Sequence, residues 1–155
     1  MNQRRQGTEP PREHIDRLIA LYERRELDDA LVHGEALARQ FPDSPFVSYL
    51  LGVVNAAAGN LERAVYWYTH SLRINPNSAV THFNLGVTLD RLGRTNEAIA
   101  SYNESVAIKP DPKAYNNLGA CLSELGMAEA AAESFRKALE LDPELAEAHN
   151  NLGYE

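Results

Sequence analysis

Asparagine recurs immediately before a Leu-Gly pair at three places, Asn84, Asn117 and Asn151, at intervals of 33 and 34 residues. A primary amide carries one acceptor oxygen and two N–H donors, so it can pair with both polar groups of an extended peptide backbone. Bond-making chemistry has no comparable constellation. The five histidines, His14, His33, His70, His82 and His149, form no i, i+4 pair with one another. No carboxylate joins them at zinc-ligand spacing, and no phosphate-binding glycine loop, Gly-x-Ser-x-Gly elbow or kinase signature occurs. Cys121 stands between Ala120 and Leu122, the setting of a small buried hydrophobe rather than a reactive thiol. These residues describe a chain that is not an enzyme, takes no cofactor and binds no metal.

Charge and composition narrow the partners. Among 155 residues the net charge is −7, and no run of Lys or Arg forms a stripe. That balance argues against nucleic acid and against an anionic membrane. Tyr66, Trp67 and Tyr68 suggest a stacking platform, but without interleaved cations they suit single strands poorly. One cysteine excludes an internal disulfide and fits a reducing compartment. The opening "MNQRRQGTEPPREH" lacks a signal peptide's apolar core, and no later run approaches the length of a membrane span, so the cytoplasm is the expected location. Residues 1–10 read as a disordered lead-in.

The elements that must position the asparagines follow from a period. Gly52, Gly86, Gly119 and Gly153 are spaced 34, 33 and 34 apart, and Ala30, Ala64, Ala98 and Ala131 are spaced 34, 34 and 33. Pro42, Pro76, Pro110 and Pro143 keep the same rhythm. Between these markers the apolar spacing is helical, as in Leu85, Leu89 and Leu92 followed by Ala98, Ile99, Tyr102 and Val106. Each unit is a pair of amphipathic helices. Gly59, Gly93 and Gly126 fall where the first helix of a pair must stop and can take the left-handed conformation there. Asp43-Ser44-Pro45 and Asp111-Pro112 supply a side-chain cap and a first-turn proline for the next helix. The pattern predicts helices near 12–24, 27–39, 45–58, 61–73, 79–92, 95–107, 113–125, 128–140 and 145–154.

These units resemble tetratricopeptide repeats, with a small residue at position 8, Ala at 20, an aromatic at 24, a small residue at 27 and Pro at 32. The third unit, for example, offers Gly86, Ala98, Tyr102, Ser105 and Pro110. The resemblance implies an all-α fold, a right-handed superhelix of stacked antiparallel hairpins. Its divisions are a degenerate first repeat over 11–44, repeats over 45–78, 79–111 and 112–145, and a partial fifth over 146–155, read either as a capping helix or as the start of a further repeat in a longer protein. Gly86 and Ala98 are expected to let the helices of a hairpin approach, and Ser105 to leave room for the next unit. The first repeat departs from the pattern, with Leu18 at the small position and Gly34 at the aromatic one, as a terminal cap can. The third repeat lacks one residue, which should shorten the loop at Pro110-Asp111-Pro112.

In this family the first helices line a concave face, and position 6, holding Asn84, Asn117 and Asn151, points into it. The arrangement is similar to the asparagine ladder of the O-linked N-acetylglucosamine transferase repeats. Tyr49, Phe83 and Val87 would stand beside it as an apolar anchor. The family's clamp for a terminal carboxylate is poorly matched: Tyr49 and Val53 replace its first Lys and Asn, and only Asn84 and Lys113 agree. The expected function is therefore a noncatalytic protein–protein interaction scaffold that binds an extended peptide or a partner helix in its groove. The peptide-binding residues would be Asn84, Asn117, Asn151, Tyr49, Phe83, Val87 and Lys113. Two alternatives stand beside it, a substrate-recruiting region of a larger glycosyltransferase or sulfotransferase, and a module that self-assembles into a homo-oligomer through its C-terminal end.

Overall fold

The computed structural model describes residues 9–153. Among these it holds nine α-helices and no strand: α1 (Arg12–Glu23), α2 (Leu27–Gln40), α3 (Pro45–Ala57), α4 (Leu61–Ile74), α5 (Ala79–Arg91), α6 (Thr95–Ile108), α7 (Pro112–Glu124), α8 (Ala128–Leu141) and α9 (Ala146–Leu152). The periodicity anticipates every one of them, with boundaries displaced by a residue or two. Two compact units divide at Pro76, α1 to α4 in the first and α5 to α9 in the second. Each is a stack of helix hairpins.

Local hydrogen bonding explains the element ends. Ser44, Ser78 and Asp111 cap α3, α5 and α7, their side-chain oxygens accepting from the N–H groups of Val47, Thr81 and Ala114. At the other end, the N–H groups of Asn60, Arg94 and Met127 reach back to the carbonyls of Asn55, Leu89 and Leu122, each at 2.9 Å. This closure requires a left-handed residue just before the donor, and Gly59, Gly93 and Gly126 provide it with φ of +80°, +72° and +74°. In the first hairpin the same closure, Glu26 N–H to Leu21 carbonyl at 3.0 Å, is made with Arg25 at φ 63°. The missing residue of the third repeat is absent from the α6–α7 connection, which has three residues where α2–α3 and α4–α5 have four.

In the first unit, α2 packs on α3, and Leu18, Leu21, Ala30, Leu37, Val47, Leu51 and Val54 form one buried cluster. Its second hairpin is held by a ring against a glycine: a Cβ on Gly52 would lie 2.5 Å from the Tyr68 ring. The first hairpin inverts these volumes. Leu18 is buried where the other hairpins have glycine, and Gly34 replaces the aromatic, with a Cβ there only 2.7 Å from Leu51 Cδ2. Glu9 and Pro10, assigned by sequence to a loose lead-in, are docked: Pro10 is buried, and Ser44 Oγ donates to the Glu9 carboxylate at 2.5 Å. Residues 1–8, the rest of that lead-in, lie outside the described residues.

The second unit repeats the ring-on-glycine contact twice, Tyr102 against Gly86 and Phe135 against Gly119. Ser105 does more than leave room. Its hydroxyl donates to the Ala79 carbonyl at 2.9 Å, tying the end of α6 to the start of α5, as Ser71 ties α4 to the Pro45 carbonyl at 2.7 Å. The last helix packs on α8 and α7. Leu145 and Leu152 are half-buried, and Gly153 closes α9 at φ 73°. Tyr154 and Glu155 lie outside the described residues.

Two consequences can be measured by urea denaturation. A side chain at Gly86 would meet the fully buried Tyr102 ring at 2.7 Å. Overpacking of that kind costs about 1–3 kcal/mol, whereas removing a mid-helix glycine returns about 1 kcal/mol at most. Gly86→Leu is thus expected to destabilise the chain by up to about 2 kcal/mol net, and a raised midpoint would contradict the close approach. Arg25→Gly should act in the opposite direction. The left-handed conformation costs an ordinary residue about 1–2 kcal/mol, and glycine's extra unfolded freedom offsets about half of that, leaving a gain of about 0.5–1 kcal/mol.

Candidate functional site

Asn84, Asn117 and Asn151 occupy the same register position on α5, α7 and α9, and these helices are consecutive neighbours, α5 against α7 and α7 against α9. Amides of adjoining first helices meet directly. Asn151 Nδ2 donates to Asn116 Oδ1 at 3.0 Å, and Asn116 is only 6% exposed. Asn117 Nδ2 donates to the Tyr102 hydroxyl at 3.4 Å, beyond the usual range for an N–H···O bond. Burial pushes the Tyr102 phenol well above its ordinary pKa, with the Asn117 bond opposing it in part, so the acceptor is a neutral hydroxyl. The Phe83 ring lies 6.0 Å from the Tyr102 ring. Tyr102 therefore links Phe83 to Asn117, although the period alone assigns it to the core.

The other expected residues fall into three settings. Asn84 is half-buried on α5, and its main-chain carbonyl accepts from Thr88 Oγ1 at 2.8 Å. Val87 is half-buried on the same helix. Lys113 is exposed at the start of α7, where it lines a cavity of about 280 Å3 together with Phe83, Val80 and Lys109. Lys109 was not singled out by sequence; the symmetric stretch Lys109-Pro110-Asp111-Pro112-Lys113 is the signal that could have found it. Tyr49 belongs to the first unit. Its ring stacks on Phe46 at 6.2 Å and lies 6.1 Å from Tyr68, and Phe46 is 43% exposed, so this pair offers an apolar surface of its own.

Reactive groups are turned to structural use. The Cys121 thiol is pushed up to about 12, first by burial and then by Asp90, whose Oδ1 accepts its S–H at 3.6 Å. A thiol so protonated is no nucleophile near neutrality. Ser48 and His70 stand 3.0 Å apart like a hydroxyl and its base, yet Ser48 Oγ spends its proton on the Ser44 carbonyl at 3.1 Å and is buried. His33 Nε2 bonds the His14 carbonyl at 3.0 Å, and His149 Nε2 the Pro143 carbonyl at 2.7 Å. Among the described residues no group of three or more His, Cys, Asp or Glu could hold a metal ion, and no helix is long and apolar enough to cross a membrane.

Comparison with known proteins agrees with this architecture. Two tetratricopeptide repeat models match the chain, over residues 46–111 and 112–145. No curated protein matches it. Among solved structures, MamA (41-end) from Desulfovibrio magneticus RS-1 is 26% identical, covers 92% of this chain and 81% of its own, and superposes with a TM-score of 0.85. The first TPR of Spaghetti (RPAP3), bound to the HSP90 peptide SRMEEVD, is 28% identical over 70% of this chain and 87% of its own, with a TM-score of 0.68. YrrB, described as a TPR protein with an unusual peptide-binding site, shares the fold at 24% identity, 90% and 73% coverage and a TM-score of 0.81. Both repeat models fall on the Gly, Ala, aromatic and Pro register that builds the hairpins, and the chain belongs to the tetratricopeptide repeat family.

Proposed function

We propose that the chain is a noncatalytic interaction scaffold whose second unit holds an extended peptide, chiefly by its backbone, along the face carrying Asn84, Asn117 and Asn151. The observation that carries this reading is the 3.0 Å bond from Asn151 to Asn116, because it brings amides of the successive first helices α7 and α9 within bonding reach. Packed helices lie about 8–10 Å apart, and an extended chain advances about 3.3 Å per residue. Every third residue of a bound peptide would then meet an amide. Asn117 spends one N–H on a long bond to Tyr102; its second N–H and its oxygen have no partner among the described residues. Phe83 and Val87 supply apolar contact beside the amides. The peptide-bound RPAP3 relative supports a peptide as the class of ligand.

The test is to select binding peptides from a random display library and titrate them against the native chain and the Asn84→Ala/Asn117→Ala variant. Each lost amide removes about 0.5–1.5 kcal/mol of net hydrogen bonding, so affinity should fall roughly tenfold to a hundredfold. The selected peptides should share little sequence, since backbone contacts do not read side chains. Within the fold Asn117 gives up only the long 3.4 Å bond to Tyr102, so the single change Asn117→Ala should move the melting temperature by only a few degrees. Equal binding by the variant would remove the amides from recognition, and its unfolding would make them structural.

A further inference from the structure

The cavity between the start of α5 and the α6–α7 connection has walls of two kinds. Ala79, Val80 and Phe83 make an apolar floor, and Val80 is 52% exposed. Lys109 and Lys113 stand at its rim, one at each end of the shortened connection, where Pro110 and Pro112 restrict the backbone. Neither lysine has a carboxylate within ion-pairing distance among the described residues, whereas Arg94 pairs with Glu97, and Arg136 and Lys137 with Glu133. Asp111 also lines the cavity, but its Oδ1 accepts from the Ala114 N–H at 3.0 Å as the cap of α7, where the helix N-terminus favours its charge.

The surroundings make the two lysines conspicuous. Residues 77–155 carry six Lys and Arg against twelve Asp and Glu. Two unpaired cations beside an apolar depression therefore reverse the local sign in an acidic unit and serve no ion pair of the fold. At about 280 Å3 the cavity is smaller than pockets that enclose a small-molecule ligand and suits one or two side chains.

We infer that this cavity seats an apolar side chain of a bound peptide whose flanking residues are Asp or Glu, with their carboxylates against Lys109 and Lys113. The inference rests on the peptide-holding reading above and adds selectivity to it. The amides hold backbone, while the cavity reads one side chain and the charge of its neighbours. Such contacts, exposed at the rim, weaken as salt rises.

The test uses two fluorescently labelled synthetic peptides, acetylated and amidated so that no terminal carboxylate is present. One is Gly-Ser-Glu-Leu-Asp-Glu-Ser-Gly, and the other has Gln and Asn in place of its acids. By anisotropy the native chain should prefer the acidic peptide by roughly two- to thirtyfold, the sum of two exposed ion pairs. Lys109→Gln/Lys113→Gln should collapse that preference to near unity, and replacing the peptide's Leu with Gly should weaken the acidic peptide as well. Asn84→Ala/Asn117→Ala should weaken both peptides and keep the preference. Equal affinity of the native chain for the two peptides, binding of neither at millimolar concentration, or a preference that survives the lysine variant would each overturn the inference. A preference that depends on the lysines while the asparagine variant binds normally would instead overturn the amide grip and leave the cavity standing.

Discussion

An aromatic ring lying where a glycine has no Cβ is the contact on which three of the four hairpins depend. Tyr68, Tyr102 and Phe135 occupy that space beside Gly52, Gly86 and Gly119, and a side chain on any of these glycines would fall within 2.7 Å of ring atoms. The constraint sets how near the two helices of a hairpin can come. Ala64, Ala98 and Ala131, all buried, keep the same interface thin. It also reaches the candidate site, because the ring that fills the Gly86 space is the one whose hydroxyl meets Asn117. Packing in the hairpin and orientation of the Asn117 amide are thus two ends of one side chain.

Features that demand a single residue type were legible in the sequence. Only glycine takes a left-handed closure without strain, so Gly59, Gly93 and Gly126 announce the ends of α3, α5 and α7. Capping by Ser44 and Asp111 was readable for the same reason, since few side chains can bond a helix's free N–H groups. Arg25 was not, because the hydrogen bonds of the closure are made by the backbone and can force an ordinary residue into place. Ser105 was read by size, and its hydroxyl, like that of Ser71, is a clasp, a role that depends on where the carbonyls of Pro45 and Ala79 lie.

The candidate site was legible in part. Period and amide chemistry selected Asn84, Asn117 and Asn151, but their partners are distant in sequence. Asn116 lies 35 residues from Asn151, and Tyr102 lies 15 from Asn117. Lys109 escaped notice because it follows the end of a second helix, outside the first-helix positions that carry the asparagines. Its significance depends on Lys113 and Phe83 sharing the same cavity, which a linear period does not express.

The inverted volumes of the first hairpin bear on how the chain avoids misassembly. Near-identical repeats invite a helix to pair with the wrong partner while the chain is still collapsing. Were α1 to pair with α4 as a hairpin, Leu18 and the Tyr68 ring would compete for one space; were α3 to pair with α2 as a hairpin instead of stacking on it, Gly52 would face Gly34 across a void where a ring belongs. An absent ring in a core costs about 3–5 kcal/mol, comparable to much of a small domain's whole stability. Leu18 and Gly34 thereby act as a key that admits one pairing, giving the first hairpin an address that its neighbours do not share.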